Sequence, residues 1–133
     1  KGLPRRTEYM QYFPGNHADL PSIADFLSAM DPAVKYRAVL AADDNLAIGA
    51  VKYAHKKGLS IPNELSVIGY NNSILSTCCE PELTTIDNRL ESLCHHIVST
   101  LIGILNDREM PQKVIFSGEL VIRGTTFNKG TTF

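Results

Sequence analysis

The sequence predicts an α/β fold in which helices pack on a parallel β-sheet. Short runs rich in β-branched residues alternate along the chain with segments of helical periodicity, which is the pattern of consecutive βαβ units. The 133 residues are 44% hydrophobic and 20% charged, values that fit one domain with a real core and exclude a disordered chain. No apolar run approaches the roughly 20 residues that a membrane span needs, so a transmembrane helix is also excluded.

The first predicted elements are a strand and a helix. Residues 8–13 form the strand, and the Pro-Gly pair that follows ends it. A helix is expected to begin near Asp19, because Pro21 then falls in its first turn, where the missing N–H of proline costs nothing. Asp31 and Pro32 end this helix, since proline disfavours a helical residue before it.

A strand–helix–strand unit comes next. Residues 38–42 are a short apolar run of the buried-strand type, and residues 43–45 supply N-caps for the following helix. Gly58 suits the position just past the end of that helix, and residues 65–69 form the next strand. A strand, a helix and a second strand within about 30 residues predict a right-handed parallel crossover.

The longest helix carries one apolar stripe, and extended runs follow it. Asn106 and Asp107 end the helix, residues 113–116 and 119–123 are the extended runs, and residues 124–133 are expected to be a frayed tail. The stripe recurs at the three-and-four spacing of a helical face. Its members are Leu90, Leu93, Ile97, Val98, Leu101, Ile102 and Leu105.

Charge and cysteine content limit the functions open to this chain. The formal net charge is -1 and the 13 lysines and arginines are scattered, so they do not form the basic patch that DNA or RNA binding requires. Three cysteines cannot pair completely within one chain, and a reduced cytoplasmic protein is the simplest interpretation. No catalytic motif is present, which argues against an enzyme, and no cofactor is expected.

Two polar residues follow predicted strands at the edge where parallel sheets bind ligands. Asp43 directly follows the first apolar strand, and Asn71 follows the next. Ligands of open parallel sheets bind beyond the carboxyl ends of the strands, so these two side chains are candidate ligand contacts. The alternative is structural: Asp43 or Asp44 caps the helix, and Asn71 with Asn72 makes a turn.

A metal site is not expected. His95 and His96 are adjacent, so on a helix their side chains point about 100° apart. Glu91 and His95 lie one turn apart, but the sequence offers no third partner for them.

Four blocks of the sequence are similar to the lactose-repressor/galactose-repressor (LacI/GalR) family. They are residues 41–50, 58–72, 81–88 and 119–126, which occur in the order of the family and with compatible gaps. The first block contains Ala-Ala-Asp-Asp-Asn, the second ends in Gly-Tyr-Asn-Asn, and the last reads Glu-Leu-Val-Ile-Arg-Gly-Thr-Thr. The resemblance covers about residues 8–126, and four blocks in the right order are specific where one would be weak.

The resemblance implies a three-layer parallel-sheet sandwich of the periplasmic-binding-protein-like type I, present here as its C-terminal subdomain plus crossover segments. Residues 1–126 would be a partial effector-binding domain and residues 127–133 a flexible tail. The implied function is the effector-sensing portion of a bacterial transcription regulator, expected to be a repressor. Its partners would be a small sugar-like effector, a second copy of the protein, and operator DNA bound through a headpiece outside this chain.

The resemblance also implies effector contacts. Asp43 would accept hydrogen bonds from sugar hydroxyls, Asn71 stands where the family usually has Asp, and Asn88 stands where it often has Gln. A stacking position after the first strand falls on His17, with Phe13 as the alternative. Because an amide makes weaker hydrogen bonds than a carboxylate, Asn71 leaves a modified or non-sugar effector open.

A dimer contact is implied for the helix that begins near Asp44 and for residues 77–80. For its apolar members the alternative is burial in the core of their own chain, because an apolar helix stripe normally faces inward. The interface candidates are Ile48, Val51, Lys52, His55 and Cys79.

Two other functions stay open. A secreted sugar-binding protein of the same fold would share the sheet and the site, but the closing block and the unpaired cysteines favour the regulator. An enzyme of the doubly wound class is disfavoured by the missing motifs. We also expect the 133 residues alone to self-associate, through the helix from Asp44 to Lys57 or through an exposed sheet edge, because apolar surface is left uncovered.

Overall fold

The computed structural model describes residues 10–30 and 37–127. Within them, a short 3-10 helix spans Ile74–Thr77. The strands are β1 (Ala38–Leu40), β2 (Ser66–Tyr70), β3 (Thr84–Asp87) and β4 (Glu119–Val121), and the α-helices are α1 (Leu20–Ala29), α2 (Asp44–Lys57) and α3 (Leu90–Leu105).

The four strands form one sheet in the order β1-β2-β3-β4. β1 pairs with β2 and β2 with β3 in parallel, whereas β4 runs antiparallel to β3. The mainly parallel α/β sheet predicted from the sequence is therefore confirmed. Because β1, β2 and β3 point the same way, the segments that follow them emerge at one edge of the sheet, and the polar residues of interest lie there.

Helix α2 has the boundaries that its caps predict. The Asp43 side chain accepts a hydrogen bond from the backbone N–H of Leu46 at 2.8 Å, which satisfies one of the free donors of the first turn. At the other end Gly58 adopts the left-handed conformation with φ 69°, and its N–H donates to the carbonyl of His55. Glycine reaches this backbone region without strain, and the helix stops there.

The core lies between α2 and the sheet. The buried face of α2 is made of small side chains, and it packs on larger ones from β2 and from the segments beside the sheet. Helix α1 packs closely against α2 at Gly49, where an added Cβ would collide with the Ile23 side chain. The core cluster consists of Ala47, Ala50, Val51, Ala54, Leu65, Val67 and Leu83.

Helix α3 forms as its periodicity predicts, but its apolar stripe is not covered by the described residues. Of its 16 residues only Gly103 is buried, and it meets the Met110 side chain. Seven large apolar side chains of α3 are between 52% and 74% exposed. These are Leu90, Ile97, Val98, Leu101, Ile102, Ile104 and Leu105.

Three predicted extended segments are wrong or shorter than expected. Residues 10–13 are not a strand, and residues 8–9 of that prediction lie outside the described residues. The run 113–116 is irregular, and only Glu119–Val121 of the run 119–123 pairs in the sheet. A β-branched or aromatic run becomes a strand only where a neighbouring strand pairs with its backbone, and no strand of the described residues pairs with residues 113–116.

The predicted frayed tail is wrong for its first residues. Thr125 is fully buried, and its hydroxyl donates to the carbonyl of Val67 at 2.7 Å and accepts from the N–H of Thr84 at 2.8 Å. The Val67 N–H also donates to the Thr125 carbonyl. This segment therefore closes the amino ends of β2 and β3, while residues 128–133 of the predicted tail lie outside the described residues.

Candidate functional site

The carboxyl edge of the sheet brings three of the predicted site residues to one region. Asp43 comes three residues after β1, Asn71 directly after β2, and Asn88 directly after β3. In the pairing of β1 with β2, Leu40 lies opposite Ile68, and continuing that register by three residues puts Asp43 level with Asn71. Asp43 and Asn71, which the strand-end rule singled out, and Asn88, which the family resemblance singled out, therefore follow adjacent parallel strands at one edge of the sheet.

Asp43 caps helix α2 with one carboxylate oxygen and contacts His17 with the other. One carboxylate oxygen caps helix α2 through the N–H of Leu46. The other oxygen lies 2.5 Å from Nδ1 of His17. The cap therefore occupies only one carboxylate oxygen, and the His17 and Asp43 side chains that form the second contact are 40% and 23% exposed.

His17 and Phe13 belong to the same group as Asp43. The ring centroids of Phe13 and His17 are 6.1 Å apart, and Phe13 makes an edge-to-face contact with Phe26 at 5.4 Å. Edge-to-face geometry suits the ring quadrupoles and holds the Phe13 ring in place. Phe13 also lines an apolar cavity of about 500 Å³ between α1 and β1.

Asn71 and Asn88 form a second group at the same edge. The Asn88 amide donates to Oδ1 of Asn71 at 3.2 Å, and the Asn71 N–H donates to the carbonyl of Ile86 at 2.9 Å. The side-chain oxygen Oδ1 of Asn88 is buried, and it has no hydrogen-bond partner among the described residues. Buried acceptors without partners are costly, so this oxygen is a position where a ligand hydroxyl would be favoured.

An open cleft of about 930 Å³ runs beside this amide pair. Its Asp87 side chain accepts from the N–H of Arg89 and from the amide of Asn72, which lowers the pKa of Asp87 below its usual range. Glu119 pairs with Arg89 at 2.8 Å and raises the pKa of that guanidinium. The cleft residues are Asn71, Asn72, Ser73, Asp87, Asn88, Arg89, Leu90, Glu91, Ser92 and Glu119.

The sequence did not single out the residues that support this edge from beneath. Asp44 is 2% exposed, and it accepts hydrogen bonds from the N–H of Ser73 and from the hydroxyl of Thr85, both at 2.6 Å. Arg123 donates to Oδ1 of Asn72 at 2.7 Å and to the carbonyl of Leu83 at 2.8 Å. The available signals were a second Asp after a buried strand and an Arg within an apolar closing run.

The candidate dimer residues differ in burial. Val51 is 3% exposed and lies in the core of its own chain, which is the alternative that the sequence left open for the apolar candidates. Ile48 and Cys79 are half-buried against that core, and burial raises the pKa of the Cys79 thiol. Lys52 and His55 are exposed to solvent.

Residues 10–30 and 37–127 contain neither a cluster of metal ligands nor a helix that could span a membrane. No three His, Cys, Asp or Glu side chains in these ranges come together as metal ligands would. None of the helices described there combines the length and the apolar character needed to cross a bilayer.

Residues 3–126 match the family described as the periplasmic binding protein-like domain. An HTH-type transcriptional regulator of Lachnoclostridium phytofermentans is 44% identical over 93% of this chain and 37% of that protein. A periplasmic binding protein/LacI transcriptional regulator of Alkaliphilus metalliredigens, solved with D-xylulofuranose, has a TM-score of 0.68 and 31% identity over 76% of this chain and 38% of its own.

The lac repressor dimer, solved bound to operator and the anti-inducer ONPF, is similar with a TM-score of 0.71 and 27% identity. That match covers 82% of this chain and 37% of the repressor chain. These likenesses confirm the predicted periplasmic-binding-protein-like fold. The chain spans less than half the length of each of these relatives.

Proposed function

The chain belongs to the family of periplasmic binding protein-like domains that LacI-type transcriptional regulators carry, and from this premise we propose that it is the effector-sensing part of such a regulator. The proposed ligand is a small sugar or a related polyhydroxylated molecule. Its binding would alter how the whole protein, acting as a dimer in the cytoplasm, holds operator DNA. Catalysis is not part of this proposal.

The curated relatives favour a regulator over a secreted sugar-binding protein. The relative that is 44% identical is an HTH-type transcriptional regulator, and the match covers nearly the whole of this chain. The scattered basic residues and the net charge of -1 assign DNA contact to a separate segment of the protein. The effect of the ligand on DNA binding would then be a coupling between two distinct sites.

The observation that carries the proposal is the set of side chains at the carboxyl ends of three neighbouring strands. Asp43 presents a carboxylate oxygen, and Asn71 and Asn88 present amides at the same edge. A sugar hydroxyl both donates and accepts hydrogen bonds. The Asp43 carboxylate only accepts, and the Asn71 and Asn88 amides can do both, so the three side chains together suit such a ligand. The regulator from Alkaliphilus metalliredigens that was solved with D-xylulofuranose supports a ligand of this class.

The imidazole beside Asp43 adds an orienting role. His17 lies 2.5 Å from the carboxylate and is held near the Phe13 ring, so its position is set before a ligand arrives. A ligand hydroxyl could replace the His17–Asp43 contact or bind beside it. In either case the helix cap already fixes the orientation of the carboxylate. Preorganised polar groups of this kind lower the ordering cost of binding.

The exposed side of α2 is the proposed dimer surface. Lys52 and His55 are exposed there, and Ile48, one turn before Lys52 on α2, is half-buried, as is Cys79 after the 3-10 helix. Val51 is left out of this surface because it lies in the core. A ligand that fits one dimer arrangement better than another would shift the equilibrium only by that difference in affinity.

Variants of Asp43 test the site in the full-length protein. Calorimetric titration would use neutral monosaccharides, with D-xylulose among them. Asp43→Ala and Asp43→Ser should both weaken binding by about 1.5–3 kcal/mol, because each removes a charged hydrogen-bond acceptor. Only Asp43→Ala should also cost about 1 kcal/mol of stability, since serine still caps the helix.

Asp25→Ala is the matched control, because Asp25 is an exposed aspartate whose contact is an ion pair with Lys56 on the outer surface. Its sugar affinity should equal that of the unmodified protein. If Asp43→Ser binds every sugar as well as the unmodified protein does, the carboxylate acts only as a helix cap and the proposed site is wrong.

A further inference from the structure

The segment that follows β2 holds an uncommon backbone shape. Asn71 and Asn72 have φ of 106° and 49°, in the left-handed region that non-glycine residues seldom adopt. Asparagine tolerates this region better than most residues, but each such position still raises the energy of the backbone. A loop of this kind keeps one conformation only if its surroundings hold it there.

The carboxylate of Asp44 holds this loop from beneath. It is 2% exposed, and its two oxygens accept from the Ser73 N–H and the Thr85 hydroxyl, both at 2.6 Å. The Asp44 carboxylate fits in this position because residue 69 is glycine, since a Cβ there would collide with the carboxylate. One buried side chain thus joins the start of α2 to the loop and to β3.

A second contact fixes the other end of the loop. Arg123 donates to the Asn72 side-chain oxygen at 2.7 Å, and the Asn72 amide donates to Asp87 at 3.1 Å. With Asn72 and Ser73 both anchored, Asn71 has little freedom, and its side chain meets Asn88. Charge-assisted hydrogen bonds such as these are stronger than neutral ones.

We propose that Asp44 is a positioning residue for the effector site: through Ser73 it sets the loop conformation that presents Asn71 to the ligand. This inference rests on the proposed function, because it concerns the same sheet edge. Asp44 itself is buried under the loop and acts through its neighbours. Its role is separate from that of Asp43, which caps the helix and faces His17.

Hydrogen–deuterium exchange of the ligand-free full-length protein tests the proposal, read at the Ser73 amide and the flanking residues. Asp44→Ala should raise the exchange rate there by roughly 10- to 100-fold, as expected for a lost hydrogen bond to a charged group. Asp44→Asn should restore most of the protection, because its carbonyl oxygen can accept from Ser73 while its amide donates to the Thr85 hydroxyl. Thr85→Val removes the hydroxyl that donates to Asp44 and accepts from the Asn72 N–H, and it serves if Asp44→Ala does not fold.

The matched control is Thr125→Val, which removes the hydroxyl of another buried threonine whose partners are Thr84 and Val67 rather than the loop. It should speed exchange generally and not at Ser73 in particular. If Asp44→Ala or Thr85→Val raises exchange equally across β2, α2 and the loop, the residue is only structural and the proposal is overturned. Because no ligand is present, loss of loop protection would support the anchoring role even if every sugar titration failed.

Discussion

Helices α2 and α3 have similar lengths, 14 and 16 residues, and both carry an apolar stripe, yet only the stripe of α2 is covered by the described residues. The covered stripe consists of alanines, a glycine and a valine, which allow α1 and the sheet to approach closely. The uncovered stripe consists of leucines, isoleucines and a valine. Helical periodicity therefore predicts that an apolar face exists, and it does not identify what packs against that face.

The same contrast explains which parts of the fold the sequence could predict. The bounds of α2 follow from local signals, since Asp43 caps it and Gly58 ends it in the left-handed conformation. The burial of Thr125 could not be predicted, because its partners Val67 and Thr84 lie 58 and 41 residues away. Contacts at that separation leave no periodic trace in the sequence.

The candidate site also contains residues that local sequence signals indicate and residues whose partners lie far along the chain. Asp43 and Asn71 were found from the residues alone, because strand ends in a parallel sheet share one edge. Asn88 came from the family resemblance, because no strand was predicted before it from the residues alone. Asp44 was considered only as a helix cap, and its actual partner Thr85 lies 41 residues away on β3.

The largest expected effect compares one large side chain from each region. Leu83→Ala removes a fully buried leucine from the core beneath α2 and should lower the unfolding free energy of the 133-residue chain by about 2–5 kcal/mol. Leu101→Ala on α3 should change it by no more than about 0.5 kcal/mol, since that side chain is exposed. Urea unfolding followed by circular dichroism measures both, and equal losses would show that α3 is packed in solution.

The next prediction concerns how closely α1 approaches α2. Gly49→Ala places a methyl group against the Ile23 side chain, and relieving that overlap should cost about 1–3 kcal/mol. Gly103→Ala is the corresponding change on α3, where the three nearest atoms belong to the flexible Met110 side chain, so its cost should be smaller. If Gly49→Ala instead stabilises the chain, the two helices lie farther apart than described.

Cysteine chemistry offers a readout that needs no substitution. Cys79 packs beside the core under α2 and burial raises the pKa of its thiol, whereas Cys94 is exposed on α3. Because the thiolate is the reacting form, iodoacetamide at pH 8 should alkylate Cys94 several-fold faster than Cys79 in the 133-residue chain. Peptide mass spectrometry over a time course measures this ratio. Slow reaction at Cys94 would mean that something covers α3.

The smallest effect on stability is expected when a charged side chain is introduced on α3. The same change tests whether the chain associates through that helix. The burial of Val51 removes the apolar centre of the α2 surface, which leaves the α3 stripe as the largest uncovered apolar face of the described residues. We therefore expect the 133-residue chain to self-associate mainly through α3 at micromolar concentration, and to be monomeric at the lower concentrations at which its unfolding and alkylation are measured. Exposed apolar patches of this size normally mark contact surfaces.

Leu101→Lys tests this expectation. It should leave the unfolding free energy within about 0.5 kcal/mol, because an exposed lysine loses no buried contact, while it should shift the chain toward monomer in sedimentation velocity at micromolar concentration. Lys52→Glu on the exposed side of α2 is the matched charge change. If Lys52→Glu disperses the chain and Leu101→Lys does not, association runs through α2 as the sequence first indicated, and the uncovered face of α3 has no part in it.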